Sequence, residues 1–342
     1  MNKTTKKAIP ELLAPAGDRQ SLLTALNAGC DAVYVGGKTF SMRGAPENFT
    51  ISGIRRAAGL CHERNASLYV TVNTIVYDTE LSALNRLLDG IADSIDAVIC
   101  WDPSVIVGCV QRGIPFHIST QASVANSASA LYYKQLGASR IVLARECTLA
   151  DIKRISKNVG IKLEVFAHGA MCVSESGRCF LSQDTYGKSG NRGACLQNCR
   201  RPYRVICQDG PGDYEVFPGD NHVFSAKDLC TLPFIEKLLE SGVASLKIEG
   251  RNRPPEYVDT VIRAYRTAID AWRDHELTDD LKHRLVEDCR KVFNRDFSAG
   301  FYLGRPITEF TEVENNAATE RKSLIGKVLN YYKKSGVAHV SL

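Results

Sequence analysis

The sequence predicts a (β/α)8 barrel of the TIM type, with a cysteine-rich insertion after its seventh strand. Three observations predict this fold. Short apolar runs rich in β-branched residues alternate with helical patterns over the first 250 residues. Eight such runs occur, and their continuous apolar character is typical of parallel strands buried on both faces. Eight strand–helix units in about 250 residues is also the usual size of such a barrel.

The predicted strands follow one another at regular intervals. Helical spacing of apolar residues fills the stretches between them, for example over Arg19–Ala28 and Leu81–Ile91. A doubly wound open sheet is the alternative, but no Gly-x-Gly-x-x-Gly follows any run, which weakens its dinucleotide-binding version. The eight runs are Glu11–Ala14, Ala32–Gly36, Leu68–Thr74, Ala97–Cys100, Pro115–Ser119, Ile141–Ala144, Leu163–Ala167 and Ser245–Ile248.

One connection is much longer than the others. Roughly 75 residues separate the seventh and eighth strands, and an insertion of this length usually carries function. Its last part, Thr231–Leu239, has a helical pattern. Two amphipathic helices follow the eighth strand, at about 256–274 and 279–292, and residues 324–342 alternate like two strands around a turn at 333–336. We therefore predict a flexible N-terminus (1–8), a barrel (9–320) with its insertion at 169–230, and the beginning of a C-terminal β-rich domain (321–342).

Composition and charge exclude some classes of protein. No apolar run reaches the roughly 18 residues that a transmembrane helix needs, and the N-terminus lacks the apolar region of a secretory signal, so we expect a cytoplasmic protein with no membrane partner. The net charge is only +5, but residues 172–204 hold six basic and two acidic side chains. Local positive charge suits a phosphate-bearing partner. On charge alone, a solvated loop with scattered arginines is slightly favoured.

Polar side chains follow every predicted strand. Catalytic groups of such barrels lie at the C-terminal ends of the strands. Here those ends include Arg145, His168, Glu249 and Arg251. Helix capping is the ordinary role of most polar residues in such positions, but the whole collection predicts a polar pocket. Arg145 and Arg251 have the planar guanidinium that binds carboxylates or phosphates through two hydrogen bonds.

The twelve cysteines are numerous for a cytoplasmic protein, in which clustered cysteines more often indicate metal or redox chemistry than disulfides. Cys172, Cys179, Cys195 and Cys199 have the spacings C-x6-C, C-x15-C and C-x3-C. Zinc sites usually show paired C-x2-C knuckles, whereas an irregular set near glycines also suits an iron–sulfur cubane. Spacing alone favours zinc and iron–sulfur about equally, ahead of redox cysteines. Six others are expected to pack as small hydrophobic residues: Cys30, Cys61, Cys100, Cys109, Cys147 and Cys289.

The cysteine segment resembles the signature of the peptidase U32, or collagenase-like, family. The resemblance extends over about residues 9–330 and includes Glu11-Leu-Leu-Ala-Pro-Ala-Gly17, Asp31-Ala-Val-Tyr-Val-Gly-Gly37, Ser225-Ala-Lys-Asp-Leu-Cys230 and Ser245-Leu-Lys-Ile-Glu-Gly-Arg251. The signature itself consists of Glu164-Val-Phe-Ala-His-Gly-Ala-Met-Cys172, Gly177-Arg-Cys179-Phe-Leu-Ser182 and Gly193-Ala-Cys195-Leu-Gln-Asn-Cys199-Arg-Arg-Pro-Tyr203.

This resemblance implies an RNA hydroxylase that works without O2 and carries a [4Fe-4S] cluster. The implied ligands are Cys172, Cys179, Cys195 and Cys199, with Cys230 as a rival of Cys199 and Cys207 as a third choice. Some members are similar to factors that form 5-hydroxyuridine at the tRNA wobble position with prephenate as the oxygen source, and this segment looks closest to theirs. Others hydroxylate a cytidine of 23S rRNA, and others act with a paralogous partner in ubiquinone biosynthesis.

A mechanistic hypothesis follows from the resemblance and the strand ends. Arg145 and Arg251, with His168, would hold a small carboxylate cosubstrate, and Glu249 is a further catalytic candidate. The target base would be flipped out of its stack and presented to the pocket, and an electron donor is an expected further partner. Four arginines would bind the RNA phosphates: Arg192, Arg200, Arg201 and Arg204.

Two other function classes compete with this hypothesis. A protease would need catalytic groups, but His62-Glu63 is not followed by the second histidine of a zinc-protease helix, and no Gly-x-Ser-x-Gly elbow occurs. A Cys172–His168 pair is conceivable as the centre of a cysteine protease. An RNA-binding protein with structural zinc is the other alternative.

Overall fold

The computed structural model describes residues 9–42, 48–208, 213–216, 222–304, 309–313, 316–321, 323 and 325–342. Within these residues the strands are β1 (Glu11–Ala16), β2 (Ala32–Gly36), β3 (Ser67–Val72), β4 (Ala97–Cys100), β5 (Phe116–Ile118), β6 (Arg140–Val142), β7 (Lys162–Gly169), β8 (Val205–Gln208), β9 (Asp213–Val216), β10 (Asp228–Cys230), β11 (Ser245–Ile248), β12 (Phe297–Ser298), β13 (Lys327–Tyr332) and β14 (Val337–Ser341). The helices are α1 (Arg19–Asn27), α2 (Ile51–His62), α3 (Leu81–Ile91), α4 (Pro103–Arg112), α5 (Ser127–Gln135), α6 (Leu149–Val159), α7 (Leu181–Tyr186), α8 (Ile235–Leu239), α9 (Pro255–Arg273) and α10 (Asp279–Lys291).

Eight parallel strands close into a barrel, which confirms the predicted fold class. β1 to β7 pair in sequence order, and β11 closes the barrel because it pairs with both β7 and β1. Their residues are buried on both faces, as continuous apolar strands of a parallel sheet should be. The predicted cysteine-rich segment lies between β7 and β11, so it sits at the C-terminal mouth of the barrel, where these folds place their active sites.

The hydrophobic core has two layers. The larger lies between the barrel and its helices, where α9 alone buries Tyr257, Val261 and Tyr265. The smaller fills part of the barrel interior with inward-facing residues of the first four strands, including Leu13, Tyr34 and Ile99. Such side-chain layers make the interior of a TIM barrel a packed core, so only its mouth is open to a ligand.

Two strands that the sequence did not predict extend the sheet next to β7, one in the insertion and one after α10. β10 pairs antiparallel with the end of β7, where Cys230 lies opposite His168, and β12 pairs parallel with β10. The predicted helix over Thr231–Leu239 is shorter, because α8 begins only at Ile235, after Pro233, which has no N–H to donate. β8 and β9 form a separate antiparallel pair.

The C-terminal residues form the β-hairpin that the sequence predicts. β13 pairs antiparallel with β14, and the connecting turn includes Gly336, whose φ of 68° is readily adopted by glycine. Apolar side chains of the hairpin, such as Val328 and Val337, are exposed. None of the helices in the described ranges is both long enough and apolar enough to cross a bilayer.

Candidate functional site at the barrel mouth

A cavity of about 320 Å³ opens at the C-terminal ends of the barrel strands. Its floor and walls come from the strands, and Met171–Gly177 of the insertion covers one side. Three cationic side chains, Arg145, Lys247 and Arg251, line it together with the carboxylates of Glu146, Glu175 and Glu249. The structure therefore brings three of the four residues predicted as catalytic, Arg145, Glu249 and Arg251, to one polar cavity, and Cys172 lines it as well. Cations at the mouth of a closed barrel suit a small anionic ligand.

Arg251 is buried and held in one orientation. Its Nη1 donates to Ser41 Oγ at 2.6 Å and to Thr71 Oγ1 at 3.0 Å. Two glycines near the strand ends leave it room: a Cβ on Gly36 would lie 1.9 Å from Nη1 of Arg251, and a Cβ on Gly17 would lie 2.1 Å from its carbonyl oxygen. A guanidinium fixed in this way is already oriented for a carboxylate, which reduces the entropy lost on binding.

Replacing Gly36 with alanine should destabilise the protein by about 1–3 kcal/mol, the usual cost of overpacking a filled core. The new methyl group would force the Arg251 guanidinium out of its place. Urea unfolding measures the change. Gly59→Ala is the matched control, since a Cβ there meets nothing within 4 Å on the exposed side of α2, and it should be neutral or stabilising. Equal stability of Gly36→Ala and the parent would contradict the close approach of Gly36 to the Arg251 guanidinium.

Arg145 and Lys247 complete the cationic lining. The guanidinium carbon of Arg145 lies 3.8 Å from the centre of the Phe166 ring, and Nη1 donates to the carbonyl oxygen of Ala170 in the insertion. Nζ of Lys247 lies 3.0 Å from Glu164 Oε1 and 4.4 Å from the centre of the Tyr34 ring. Lys247 was not among the predicted site residues, because it lies inside the apolar run of the eighth strand and not at its end.

Below the cavity, the barrel interior contains a network of buried charges. Glu164 is fully buried and accepts from Lys247 and from Arg140, each at 3.0 Å. Arg140 also contacts Glu11, at 2.6 Å, which in turn accepts from the Tyr69 hydroxyl at 2.7 Å. Burial alone would raise the pKa of Glu164, but Lys247 and Arg140 outweigh it and lower that pKa to about 2. Burial lowers the pKa of Lys247, and Glu164 opposes this effect.

His168 does not line the cavity. Its ring is buried among Tyr257, Tyr265 and Phe297, with ring centres 5.3 to 6.0 Å away, and Nδ1 lies 3.4 Å from the Tyr265 hydroxyl. Burial lowers the pKa of His168 to about 3, so the imidazole is neutral at physiological pH. The structure does not bring this residue together with Arg145 and Arg251 around the cavity.

The four clustered cysteines lie on the insertion after β7, and Cys172 lines the mouth cavity. All four are free thiols, and Cys195 is exposed while the others are partly buried. A Cβ on Gly177 would lie 3.9 Å from Cys172 Sγ, and one on Gly190 would touch both Cys195 and Cys179. The backbone N–H of Leu181 donates to Cys179 Sγ at 3.3 Å. Burial raises the pKa of Cys199, and the three other thiols of the set raise it further, so all four are electrostatic neighbours.

Cys230 lies elsewhere. Its side chain is 2 % exposed and belongs to the hydrophobic core, next to Tyr265 and Cys289. Burial raises the pKa of the Cys230 thiol to about 11. The thiols of Cys172, Cys179 and Cys195 act on that of Cys199, whereas Cys230 packs in the core. Cys207 lies on β8, and the description of the structure does not extend to its side chain.

Four thiolates match the donor set of a [4Fe-4S] cubane. Among the described residues, no three His, Cys, Asp or Glu side chains form a group that could hold one metal ion. Asn198, the neighbour of Cys199, is buried, and neither polar atom of its amide has a partner in the described chain. A buried amide without a partner next to Cys199 in the chain suits a bound group that forms hydrogen bonds with it.

The four arginines predicted to bind RNA fall into two kinds. Arg192 reaches back to the barrel, where it pairs with Glu80 at 2.5 Å, and Arg200 is buried, donating to the carbonyl oxygen of Ala226 at 2.7 Å. Arg192 therefore attaches the insertion to the barrel, and Arg200 joins separate parts of the insertion to each other. Arg201 and Arg204 are exposed. Nη1 of Arg201 donates to the Tyr186 hydroxyl at 2.6 Å, so that guanidinium still faces solvent beside an aromatic ring.

Comparison with known proteins agrees with this architecture. The profile of peptidase family U32 matches residues 17–312. An uncharacterized protease of Methanocaldococcus jannaschii is 40% identical over 97% of this chain and 83% of its own length. A tRNA hydroxylation protein (P1) of Bacillus subtilis is 36% identical over 96% of this chain and 78% of its own. A 23S rRNA 5-hydroxycytidine synthase of Escherichia coli is 36% identical over 89% of this chain and 49% of its own. The chain therefore belongs to peptidase family U32.

Proposed function

We propose that this protein hydroxylates a pyrimidine of RNA without using O2, and that its substrate is the wobble uridine of tRNA. The observation that carries the proposal is a cavity lined by Arg145, Lys247 and Arg251 in which Cys172, one of the four clustered free thiols, is part of the wall. Two relatives of this chain are named as RNA hydroxylation enzymes, one for tRNA and one for 23S rRNA.

In this proposal, Cys172, Cys179, Cys195 and Cys199 hold a [4Fe-4S] cluster, which supplies electron transfer when it is bound. Arg251 and Arg145 bind the carboxylates of a small cosubstrate that provides the oxygen atom, for which we propose prephenate. Lys247 is a third cation at the cavity floor. Its charge is kept by Glu164, so it can contribute to binding without leaving an unpaired buried ion.

The carboxylates in the same cavity provide the remaining polar chemistry. Glu249 Oε2 accepts from the backbone N–H of Ala170 at 3.4 Å, and Glu146 Oε1 accepts from the N–H of Ser176 at 3.0 Å. Both contacts connect the barrel to the insertion, so they order the loop that carries Cys172. Glu249 is also within the cavity lining, where a carboxylate can hold a proton of the bound base or cosubstrate.

A protease mechanism finds no such support. The imidazole that would activate Cys172 is that of His168, which is enclosed by three aromatic rings. A general base must lie within hydrogen-bonding distance of the proton that it removes. The enclosed position of His168 therefore favours the hydroxylase over a cysteine protease.

Expression in a bacterial strain that lacks its own RNA hydroxylation genes tests the proposal. We expect mass spectrometry of digested tRNA to reveal 5-hydroxyuridine. Arg251→Lys should lower its amount roughly 10- to 100-fold, because one charge-assisted hydrogen bond of a bidentate pair is lost. Arg263→Lys, on the exposed face of α9, is the matched control and should have no effect. A hydroxylated cytidine in rRNA would identify rRNA as the substrate in place of tRNA. Unmodified tRNA and unmodified rRNA would together overturn the proposal.

A further inference from the structure

A second hollow lies beside the mouth cavity, outside the site described above. Its volume is about 410 Å³, and Trp101, Arg178 and Phe180 are among its lining residues. Met42 and Glu175 line both this hollow and the mouth cavity, so the two are adjacent. A molecule whose reacting part enters the mouth would therefore place a neighbouring part in the hollow.

The hollow presents two aromatic rings of different character. Nε1 of Trp101 donates to the carbonyl oxygen of Asn73 at 2.9 Å, which fixes the indole at the end of β4. Phe180 is 73 % exposed, more than any other aromatic side chain in the described ranges. A large apolar side chain left in water at the edge of a functional cavity is typical of a surface that a ligand covers.

Arg178 contributes a cation to the lining of the hollow, next to the carboxylate of Glu175. Nη2 of Arg178 donates to Ser123 Oγ at 2.9 Å and lies 3.9 Å from Glu175. Lys188, Arg201 and Arg204 are exposed on the same insertion. Aromatic rings interleaved with cations are the usual means of binding single-stranded nucleic acid, because bases stack on the rings while phosphates pair with the cations.

We propose that this hollow binds an unpaired nucleobase of the RNA, adjacent in sequence to the base that enters the mouth cavity. The base stacks on Phe180 or Trp101, and Arg178 faces its phosphate or its edge. This inference rests on the proposed function, since it names the part of the same RNA substrate that the protein grips. It also gives an RNA-binding role to Phe180 and Trp101, which carry no charge and were not among the residues predicted to bind RNA.

Tryptophan fluorescence gives a direct test, because the chain has only two tryptophans. In a Trp272→Phe background, Trp101 is the single reporter. Titration of the anaerobically purified protein with a short single-stranded oligoribonucleotide should quench it, and the same sequence as a duplex should bind much more weakly. Phe180→Ala should weaken binding of the single strand roughly 5- to 150-fold, the range that one base–aromatic stack provides. Phe180→Tyr, which keeps a ring, should restore it.

The control is Tyr132→Ala, which removes another exposed ring, on α5, and should leave the affinity unchanged. Circular dichroism verifies that Phe180→Ala is folded, and Phe180→Leu repeats the test with an apolar side chain that cannot stack. Undiminished RNA affinity of Phe180→Ala and of Phe180→Leu would overturn the inference but keep the proposed function. The hollow would then suit a protein partner such as an electron donor. Absence of RNA binding by the parent protein would overturn both.

Discussion

Cys199→Ala will abolish iron–sulfur loading, whereas Cys230→Ala will leave it intact. Cys199 is the electrostatic neighbour of Cys172, Cys179 and Cys195, whereas Cys230 is in the core beside Tyr265. We expect the parent protein, purified without oxygen, to contain about four iron and four acid-labile sulfide ions per chain, the composition of a cubane cluster. Metal and sulfide analysis with a visible spectrum measures the loss.

The two variants are matched, since each removes one thiol. Cys230→Ala also removes a buried core atom, so a modest fall in stability is expected without loss of iron. Retention of the cluster by Cys199→Ala with its loss from Cys230→Ala would reverse the assignment. Stoichiometric zinc in place of iron in the parent would instead favour an RNA-binding protein with a structural metal.

Glu164→Gln will destabilise the protein by about 3–5 kcal/mol, the usual result when one partner of a buried ion pair is removed. The substitution keeps the shape of the side chain but leaves Lys247 without an anionic partner and Arg140 with Glu11 alone. Urea unfolding at pH 7 measures the change. Asp259→Asn, which breaks an exposed pair with Arg263 on α9, should cost at most about 1 kcal/mol.

The same carboxylate predicts a pH dependence. The pKa of Glu164 is about 2 in the folded protein, below the 4.5 of an ordinary glutamate. A group whose pKa is lowered by folding stabilises the native state above its unfolded pKa, so this contribution is complete above about pH 4.5 and is lost as the pH falls towards 2. Glu164→Gln should flatten this part of the stability curve. An unchanged acid transition in the variant would show that other carboxylates determine it.

Local sequence patterns predicted the barrel strands well. β2, β4 and β11 have the same bounds as the predicted runs, because a strand buried on both faces leaves a continuous apolar signal. β6 begins one residue earlier than predicted, at Arg140. A charged side chain directed into a barrel contradicts the apolar pattern, and its partner Glu11 is 129 residues away, so only the closed fold reveals the pair.

Local sequence patterns also predicted the candidate site only in part. The cysteine set was visible because its members are close in sequence, but the choice between Cys199 and Cys230 depends on the pairing of β10 with β7, which no local pattern reports. Arg192 and Arg200 were predicted to face RNA because charge alone does not reveal a distant partner. Arg200 instead holds the insertion together, since it donates to the carbonyl oxygens of Ala226 and Met171. Phe180 was overlooked because an exposed aromatic residue has no sequence signature of its exposure.

The position of β11 has a consequence for how the chain is assembled. β11 lies between β1 and β7, so the barrel cannot close until Ser245–Ile248 has been synthesised. During translation the whole cysteine segment therefore leaves the ribosome before the barrel closes, and unpaired strand edges promote aggregation. The insertion thus prolongs the stage of biosynthesis at which the sheet is open. A nascent chain that ends before Ser245 leaves the outer edge of β1 without its partner strand.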